Sequence, residues 1–239
     1  MKRTLIGVLT PSSNTVLEPI TCEILAGLHD VSAHFARFRV TEISRAASAN
    51  AQFEIEKQLA AAEQLADARV DAIVWSGTAA SWLGFEQDER LCQSILDRTG
   101  IPAGSSVLAI NDLFRAANVR RFGLVTPYTH DIQAAIIANY SAAGLQCVGE
   151  RHLGESRNFE FSEFTEGTIG DMIEAVAMEQ PEAIAIMCTN MRGARIAPRY
   201  EEKLGIPIFD STSSAVRAGL KVAGKDTNQV KGWGQMFGI

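Results

Sequence analysis

The stretch IGVLTP at residues 6–11 is matched by FGLVTP at residues 122–127, with Gly, Thr and Pro in register. In both stretches a short apolar run ends at Thr-Pro, which is typical of a buried strand followed by a turn. The offset is 116 residues, close to half of the 239-residue chain. The sequence therefore contains two similar segments, and each opens on a buried strand.

Two further matches follow in the same order. The stretch VDAIVWSGT at residues 70–78 matches PEAIAIMCT at 181–189, and TGIP at 99–102 matches LGIP at 204–207, at offsets of 111 and 105. Each Gly-Ile-Pro precedes a serine-rich turn that we expect to open a helix. Three matches in one order indicate a duplication. The alternative is that unrelated α/β proteins share such strand and loop sequences.

Helical patterns separate these strands, for example from about Val16 and from Gln87 to Arg98. Alternation of strands and helices predicts the α/β class with parallel sheets. We expect two pseudo-symmetric Rossmann-like (flavodoxin-like) halves, each a parallel sheet flanked by helices, with the active-site cleft between them. The first half would comprise residues 1–115 together with about 215–239, and the second half residues 116–214.

The composition is that of a folded globular protein, with 46% hydrophobic and 21% charged residues. A net charge of −6 gives no electrostatic reason to bind nucleic acid or an anionic membrane. Neither a signal peptide nor an apolar run of about 18 residues is evident. The cysteines are too irregularly spaced for a disulfide framework or a metal site, so we expect a reducing, cytoplasmic location. They are Cys22, Cys92, Cys147 and Cys188.

Ligands of open parallel sheets bind beyond the carboxyl ends of the strands, where loops lead into helices. The repeat places four such loops, at residues 11–15, 77–80, 127–130 and 188–190, around the predicted cleft. We expect no cofactor, because the chain lacks a phosphate-binding loop, a nucleophile elbow and a zinc signature. The candidate substrate-binding residues are Pro11, Ser12, Ser13, Asn14, Gly77, Thr78, Ala79, Tyr128, Cys188 and Thr189.

Cys188 is the main candidate for a catalytic residue, because a thiol at the carboxyl end of a parallel sheet can act as nucleophile or as general acid-base. The alternative is an inert buried cysteine. Thr78, Thr189 and Tyr128 can donate hydrogen bonds to an oxyanion, or serve as helix caps and a rim residue. Residues 12–14 can bind a carboxylate or cap the following helix.

With these residues in place, the chain resembles the aspartate/glutamate racemase superfamily. The Pro-Ser-Ser-Asn-Thr loop at residues 11–15 looks like the maleate cis-trans isomerase branch. The Gly77-Thr78 pair, the lone Cys188 and Tyr128 after Thr-Pro are similar to the arylmalonate decarboxylase branch, which lacks that loop. Racemases and isomerases of this superfamily use two cysteines, one per half, and here the first position is Gly77.

The resemblance therefore implies a cofactor-independent decarboxylase acting on a small malonate-type dicarboxylic acid. Cys188 would protonate an enediolate held in a dioxyanion hole of Thr78, Tyr128 and the backbone at 188–189. Trp75, Trp82 and Phe85 could supply an apolar wall, and for Trp75 the alternative is packing in the core. The alternatives are an isomerase or racemase that pairs Cys188 with a non-cysteine group, and a non-catalytic carboxylate-binding protein. We expect a small dicarboxylate as partner, with no nucleic acid and no membrane, and homo-oligomerisation is left open.

Overall fold

The computed structural model describes residues 3–239 and contains two four-stranded parallel sheets in that part of the chain. The strand orders are β2-β1-β3-β4 and β6-β5-β7-β8, so both halves have the same topology. This arrangement confirms the predicted α/β fold with two equivalent halves. The strands are β1 Thr4–Pro11, β2 Val31–Phe38, β3 Ala72–Trp75, β4 Ala103–Ser105, β5 Arg121–Thr126, β6 Gln146–His152, β7 Ala183–Ile186 and β8 Ile208–Asp210.

Helices cover both sheets, and buried apolar side chains from the two halves form one hydrophobic core. Among the described residues, no helix is both long enough and apolar enough to cross a membrane. The helices are α1 Leu17–Leu25, α2 Ala47–Asn50, α3 Ile55–Asp67, α4 Ala80–Leu83, α5 Glu86–Thr99, α6 Ser106–Ala116, α7 His130–Ala142, α8 Glu166–Ala177, α9 Ala197–Leu204 and α10 Ser211–Val222. Short 3-10 turns lie at Ala51–Phe53, Phe159–Glu163, Thr227–Gln229 and Gln235–Gly238.

The repeated acidic residue before β3 and β7 has the same task in each half. The Leu5 N–H donates to Asp71 Oδ2 at 2.8 Å, and the N–H groups of Arg120 and Arg121 donate to Glu182 Oε2 at 2.6 and 2.9 Å. Each carboxylate thus satisfies backbone donors at the start of the neighbouring central strand. The same interaction between a carboxylate and strand N–H groups thus occurs in both halves.

The repeated Gly-Ile-Pro motif ends a helix in both halves. Gly100 and Gly205 adopt left-handed conformations, with φ of 71° and 68°, directly after α5 and α9. Their N–H groups donate to carbonyls four residues earlier, which closes the last helical turn. Glycine is favoured there because a Cβ would be strained at positive φ.

The last helix crosses from the second half to the first. Helix α10 follows β8 in the chain but packs mainly against β3, β4 and α6. The C-terminal segment returns to the second half, where the Gln235 N–H donates to Glu201 Oε2 at 2.9 Å. It is also tied to α10, because Arg217 Nε donates to the Met236 carbonyl at 2.8 Å. The division into residues 1–115 with 215–239 and residues 116–214 remains a prediction.

Candidate active site

A pocket lies where the carboxyl ends of the two sheets meet, with about 280 Å³ of empty space that includes its opening to solvent. The enclosed part is smaller than this figure, so a bound ligand has to be small. The last residue of β1 and the loops that follow β3, β5 and β7 all contribute to its walls. The lining residues are Pro11, Val40, Ile43, Phe53, Trp75, Gly77, Thr78, Ala79, Trp82, Tyr128, Asn158, Cys188 and Thr189.

The two hydroxyls expected to stabilise negative charge are in direct contact. Thr78 Oγ1 and the Tyr128 hydroxyl lie 2.6 Å apart and share a hydrogen bond. Tyr128 is only 2% exposed. Burial raises its pKa well above the ordinary value, the negative charge of an ionised Cys188 would raise it further, and the bond to Thr78 lowers it less. The phenol therefore stays protonated and remains a hydrogen-bond donor.

Cys188 is the buried thiol of the pocket, with 2% of its surface exposed. Burial raises its pKa to about 12, because the thiolate is poorly solvated there. Hydrogen bonds from the Asn190 backbone and the Tyr128 hydroxyl lower the pKa, and the nearby Asp210 carboxylate raises it. The group is thus a neutral thiol near pH 7, suited to giving up a proton rather than to attacking as a thiolate.

Asp210 lies behind Cys188 at the end of β8. Its Oδ1 accepts hydrogen bonds from the N–H groups of Thr212 and Ser213 at 2.9 and 3.0 Å, which caps α10. Oδ2 is buried and has no hydrogen-bond partner among residues 3–239. Burial raises the pKa of Asp210 to about 7. The loop on which Cys188 sits is held by the next residue, since the Cys188 N–H donates to the Ser211 hydroxyl at 3.1 Å.

The remaining wall of the pocket is aromatic and aliphatic. Trp75 packs against Phe38 and Phe53, with ring centroids 5.1 and 6.4 Å apart, and Trp82 packs edge-on against Tyr128 at 5.3 Å. No lysine, arginine or histidine is among the lining residues that the structure describes. An anionic ligand would therefore be bound by neutral donors, next to apolar surface.

The family model for arylmalonate decarboxylase matches residues 6–237. The chain belongs to the arylmalonate decarboxylase family. This membership confirms the resemblance stated from the sequence.

The relatives of this protein have two different activities, decarboxylation and isomerisation. Arylmalonate decarboxylase from Bordetella bronchiseptica is 24% identical over 164 residues, covering 67% of this chain and 68% of the relative. Maleate isomerase from Nocardia farcinica is 23% identical over 225 residues, covering 90% and 88%. The relatives are enzymes, and they leave the choice between lyase and isomerase open.

A solved structure of the same fold is that of a cysteine-to-serine mutant of Nocardia farcinica maleate cis-trans isomerase with a covalently bound succinylcysteine intermediate. It superposes with a TM-score of 0.89 at 20% identity and covers 98% of both chains. At this identity the likeness establishes the fold of the family member and not its reaction.

The serines of the Pro-Ser-Ser-Asn-Thr loop lie outside the pocket lining. The hydroxyls of Ser12 and Ser13 donate to the Val40 carbonyl at 3.3 and 2.7 Å, and Ser12 Oγ also accepts from the Val40 N–H at 3.1 Å. Ser13 Oγ accepts a further hydrogen bond from Asn158 Nδ2 at 2.8 Å. The two hydroxyls thus hold the loop after β2 against the end of β1, and substrate contact by them stays a prediction.

Asn14 and Thr189 connect the two halves of this family member. Asn14 Oδ1 accepts from the N–H groups of Val16 and Leu17, both at 2.9 Å, which caps α1, and its Nδ2 donates to Thr189 Oγ1 at 3.2 Å. The Thr189 hydroxyl in turn donates to the Ser76 carbonyl at 3.2 Å. Asn14 also lies outside the lining, whereas Thr189 lies within it with its hydroxyl proton already engaged.

The other candidates line the pocket, and their roles toward a substrate stay predictions: Pro11, Gly77, Thr78, Ala79, Tyr128 and Cys188. The expectation for Phe85 was wrong, since this ring packs against Tyr140 at 4.9 Å and is not part of the lining. Gly84, with a φ of 109°, turns the chain between α4 and α5 just before Phe85.

Sequence reasoning missed four lining residues: Val40, Ile43, Phe53 and Asn158. They come from the loops after β2 and β6, which pair with each other over the pocket. The Ile43 N–H donates to the Ser156 carbonyl at 2.7 Å, and the Asn158 N–H donates to the Thr41 carbonyl at 3.0 Å. The available signal was topological, because β2 and β6 occupy equivalent places in the two sheets.

Proposed function

We propose that this protein is a cofactor-independent decarboxylase of a small malonate-type dicarboxylic acid. The observation that carries the proposal is the asymmetry of the pocket. One strand end presents the buried thiol of Cys188, and the equivalent strand end of the other half presents Gly77. A single proton donor suits a reaction in which one carbon is protonated once, from one face.

In the proposed reaction, the bond between the α-carbon and one carboxylate breaks and CO2 leaves. The electron pair of that bond remains on the substrate as an enediolate. The Cys188 thiol then gives its proton to the α-carbon, and the resulting thiolate regains a proton from solvent. An enediolate is a far stronger base than a thiolate, so a thiol with a pKa of about 12 is acidic enough for this step.

We assign stabilisation of the enediolate to neutral donors. The hydroxyls of Tyr128 and Thr78, 2.6 Å apart, would bind the carboxylate that is retained, together with the backbone N–H of Thr189. The Cys188 N–H is not part of this set, because it donates to the Ser211 hydroxyl. The Thr189 hydroxyl is not part of this set, because its proton is bonded to the Ser76 carbonyl. In a dry pocket such preorganised donors are worth more than in water.

The apolar wall supports the loss of CO2. A carboxylate held against Val40, Ile43 and Phe53 is poorly solvated, whereas the CO2 formed from it is neutral and apolar. The enclosed part of the pocket is small, which limits the substrate to one with small substituents. We therefore propose alkyl- or small aryl-substituted malonates as the substrate class.

Maleate isomerisation is the second candidate. The observation that favours it is the greater extent of the match to the Nocardia farcinica isomerase, which covers 90% of this chain. The isomerase structure contains a succinylcysteine, and forming a carbon-sulfur bond of that kind requires a thiolate nucleophile. The raised pKa of Cys188 works against that chemistry here.

The test is incubation with a panel of disubstituted malonates and with maleate, scoring CO2 release, fumarate formation and deuterium incorporation from D2O. Decarboxylation predicts CO2 and one deuterium per product molecule, with turnover lowered about a hundredfold or more in Cys188→Ser. Cys147→Ser, a half-buried cysteine outside the pocket, is the matched control and should retain full turnover.

Two outcomes would replace the proposal. Fumarate without CO2 would make the protein an isomerase. Tight binding of a dicarboxylate with no product, and with no difference between wild type and Cys188→Ser, would support a carboxylate-binding protein that does no chemistry.

A further inference from the structure

We propose that Trp75 determines which reaction this pocket can perform, because its indole occupies the space that a side chain at position 77 would need. The steric part of this inference is independent of the reaction. The part that concerns reaction specificity rests on the proposed decarboxylase function.

The two residues share one face of the chain. Side chains alternate along an extended strand, so positions 75 and 77, at and just beyond the end of β3, point the same way. A Cβ built on Gly77 would lie 2.0 Å from Cζ2 of Trp75, and 2.4 and 2.5 Å from two further atoms of the same indole. Real Cβ contacts are never this short, so any side chain at position 77 must displace the ring.

The indole can move only by disturbing its neighbours or by entering the pocket that it lines. Trp75 is 1% exposed and lies in van der Waals range of Phe38 and Phe53, whose ring centroids are 5.1 and 6.4 Å away. Its backbone is held in the sheet, paired with Leu9 on one side and Ser105 on the other. Rotation toward the close-packed side displaces these rings, and rotation the other way fills the pocket.

The second half shows the opposite combination of sizes. The repeat aligns Trp75 with Ile186 and Gly77 with Cys188. Ile186 is buried at the end of β7, as Trp75 is at the end of β3, but it is smaller and leaves room for the Cys188 side chain. One half thus combines a large ring with glycine, and the other combines an aliphatic side chain with cysteine.

This difference between the two halves has a chemical consequence. Removing a proton from one face of a carbon and returning it to the other requires a second acid-base group across the pocket from Cys188. The indole of Trp75 fills the place of such a group and carries no acid-base function near neutral pH. The pocket is thereby restricted to proton delivery from the Cys188 side, and mutation of Gly77 alone cannot lift that restriction.

The experiment is a double-mutant cycle of wild type, Trp75→Ile, Gly77→Cys and the combination, which copies the Ile186–Cys188 pair into the first half. Melting temperature gives the steric readout without reference to activity. We expect Gly77→Cys alone to lower the melting temperature by roughly 5 °C through overpacking. In the combined variant the loss should be smaller than the sum of the two single losses by about 3 °C or more.

The second readout is racemisation of the chiral acid left after decarboxylation, followed by optical purity and deuterium exchange in D2O. In the combined variant the introduced thiolate takes the α-proton from one face while the Cys188 thiol delivers a proton from the other. We expect exchange at least tenfold faster than in wild type or in Gly77→Cys alone. Trp82→Ile combined with Gly77→Cys is the matched control, since it shrinks a different pocket indole and should relieve neither defect.

The outcomes separate the two proposals. Additive melting temperatures, or a Gly77→Cys variant as stable as wild type, would overturn the steric inference. Coupled melting temperatures without racemisation, in a protein that decarboxylates malonates, would overturn the role of Trp75 in reaction specificity. Coupled melting temperatures in a protein for which even the wild type releases no CO2 would leave the steric inference standing and reject the proposed function.

Discussion

The hydroxyl of Tyr128 lies 2.6 Å from the hydroxyl of Thr78, although the two residues are contributed by opposite halves of the chain. Both are buried, and neither carries a charge at neutral pH. In the unliganded pocket one hydroxyl donates to the other, and both can turn to donate to the two oxygens of one carboxylate. The pair is therefore the part of the pocket in which loss of a single atom should cost the most activity.

Tyr128→Phe removes the phenol oxygen and keeps the ring that packs on Trp82 and Phe161. We expect turnover of a malonate substrate to fall by about 10²–10³, because one oxyanion donor is lost. The control is Tyr140→Phe, which removes the buried hydroxyl that donates to Asn111 Oδ1 at 2.9 Å. Equal losses of turnover in both variants would argue for a structural effect.

Cys188 should react slowly with alkylating agents in the native protein. Burial raises its pKa to about 12, so its thiolate fraction at pH 8 is roughly a thousandfold below that of an ordinary cysteine. Mass spectrometry after brief iodoacetamide treatment should find Cys22, which is exposed, modified and Cys188 intact. In urea both should react, and native labelling of Cys188 at the rate of Cys22 would contradict the prediction.

Asp88 should make stability fall as the pH rises from about 4 to 7. Burial raises its pKa from 3.8 to about 7, and a hydrogen bond with Ser105 lowers it less. Within this window the folded state keeps the Asp88 proton that the unfolded state has lost, so the free energy of unfolding decreases with pH. Asp88→Asn does not titrate and loses this contribution.

The measurement is urea unfolding of wild type and Asp88→Asn at pH 4.5 and 7.5. The stability of the variant relative to wild type should increase toward pH 7.5. Asp97→Asn, at an exposed position of the same helix, is the control and should follow wild type. A constant difference between Asp88→Asn and wild type would show that Asp88 titrates alike in both states.

Gly100→Ala and Gly205→Ala should each destabilise the protein by about 1 kcal/mol, because alanine is strained at positive φ. A Cβ at either position meets no atom within 4 Å, so the cost is conformational alone. Gly27→Ala is equally free of contacts but has no positive φ, and should be close to neutral. Urea unfolding gives the three values, and unequal losses for Gly100 and Gly205 would count against equivalent roles.

The fold could be predicted because the repeated residues mark the ends of strands and helices in both halves. Gly100 and Gly205 end helices through contacts within their own turn, which a sequence shows directly. Asp71 and Glu182 accept from N–H groups more than 60 residues away, so only their repetition in the sequence indicated a shared role. The pocket residues at the ends of the central strands could be predicted for the same reason. Topology fixes where the carboxyl ends of parallel strands meet.

The remainder of the site depends on contacts between segments distant in sequence. Ser13 could bind a carboxylate or a carbonyl, and only the fold brings the Val40 carbonyl to its hydroxyl. Val40 and Ile43 lie in a loop whose pairing with residues 156–158 has no counterpart among the repeated stretches. The overlap between the Trp75 ring and a side chain at position 77 could not be predicted either. A sequence gives the size of a side chain but not the direction in which it points.

Two hydrogen bonds, from Asn14 to Thr189 and from Thr189 to the Ser76 carbonyl, affect how the whole chain unfolds. Each of these buried groups lies in one half and finds its partner in the other. Opening the interface would leave all of them without partners, a cost that neither half can recover alone. Two halves of equal topology are thereby joined into one cooperative system, and we expect a single denaturation transition rather than two.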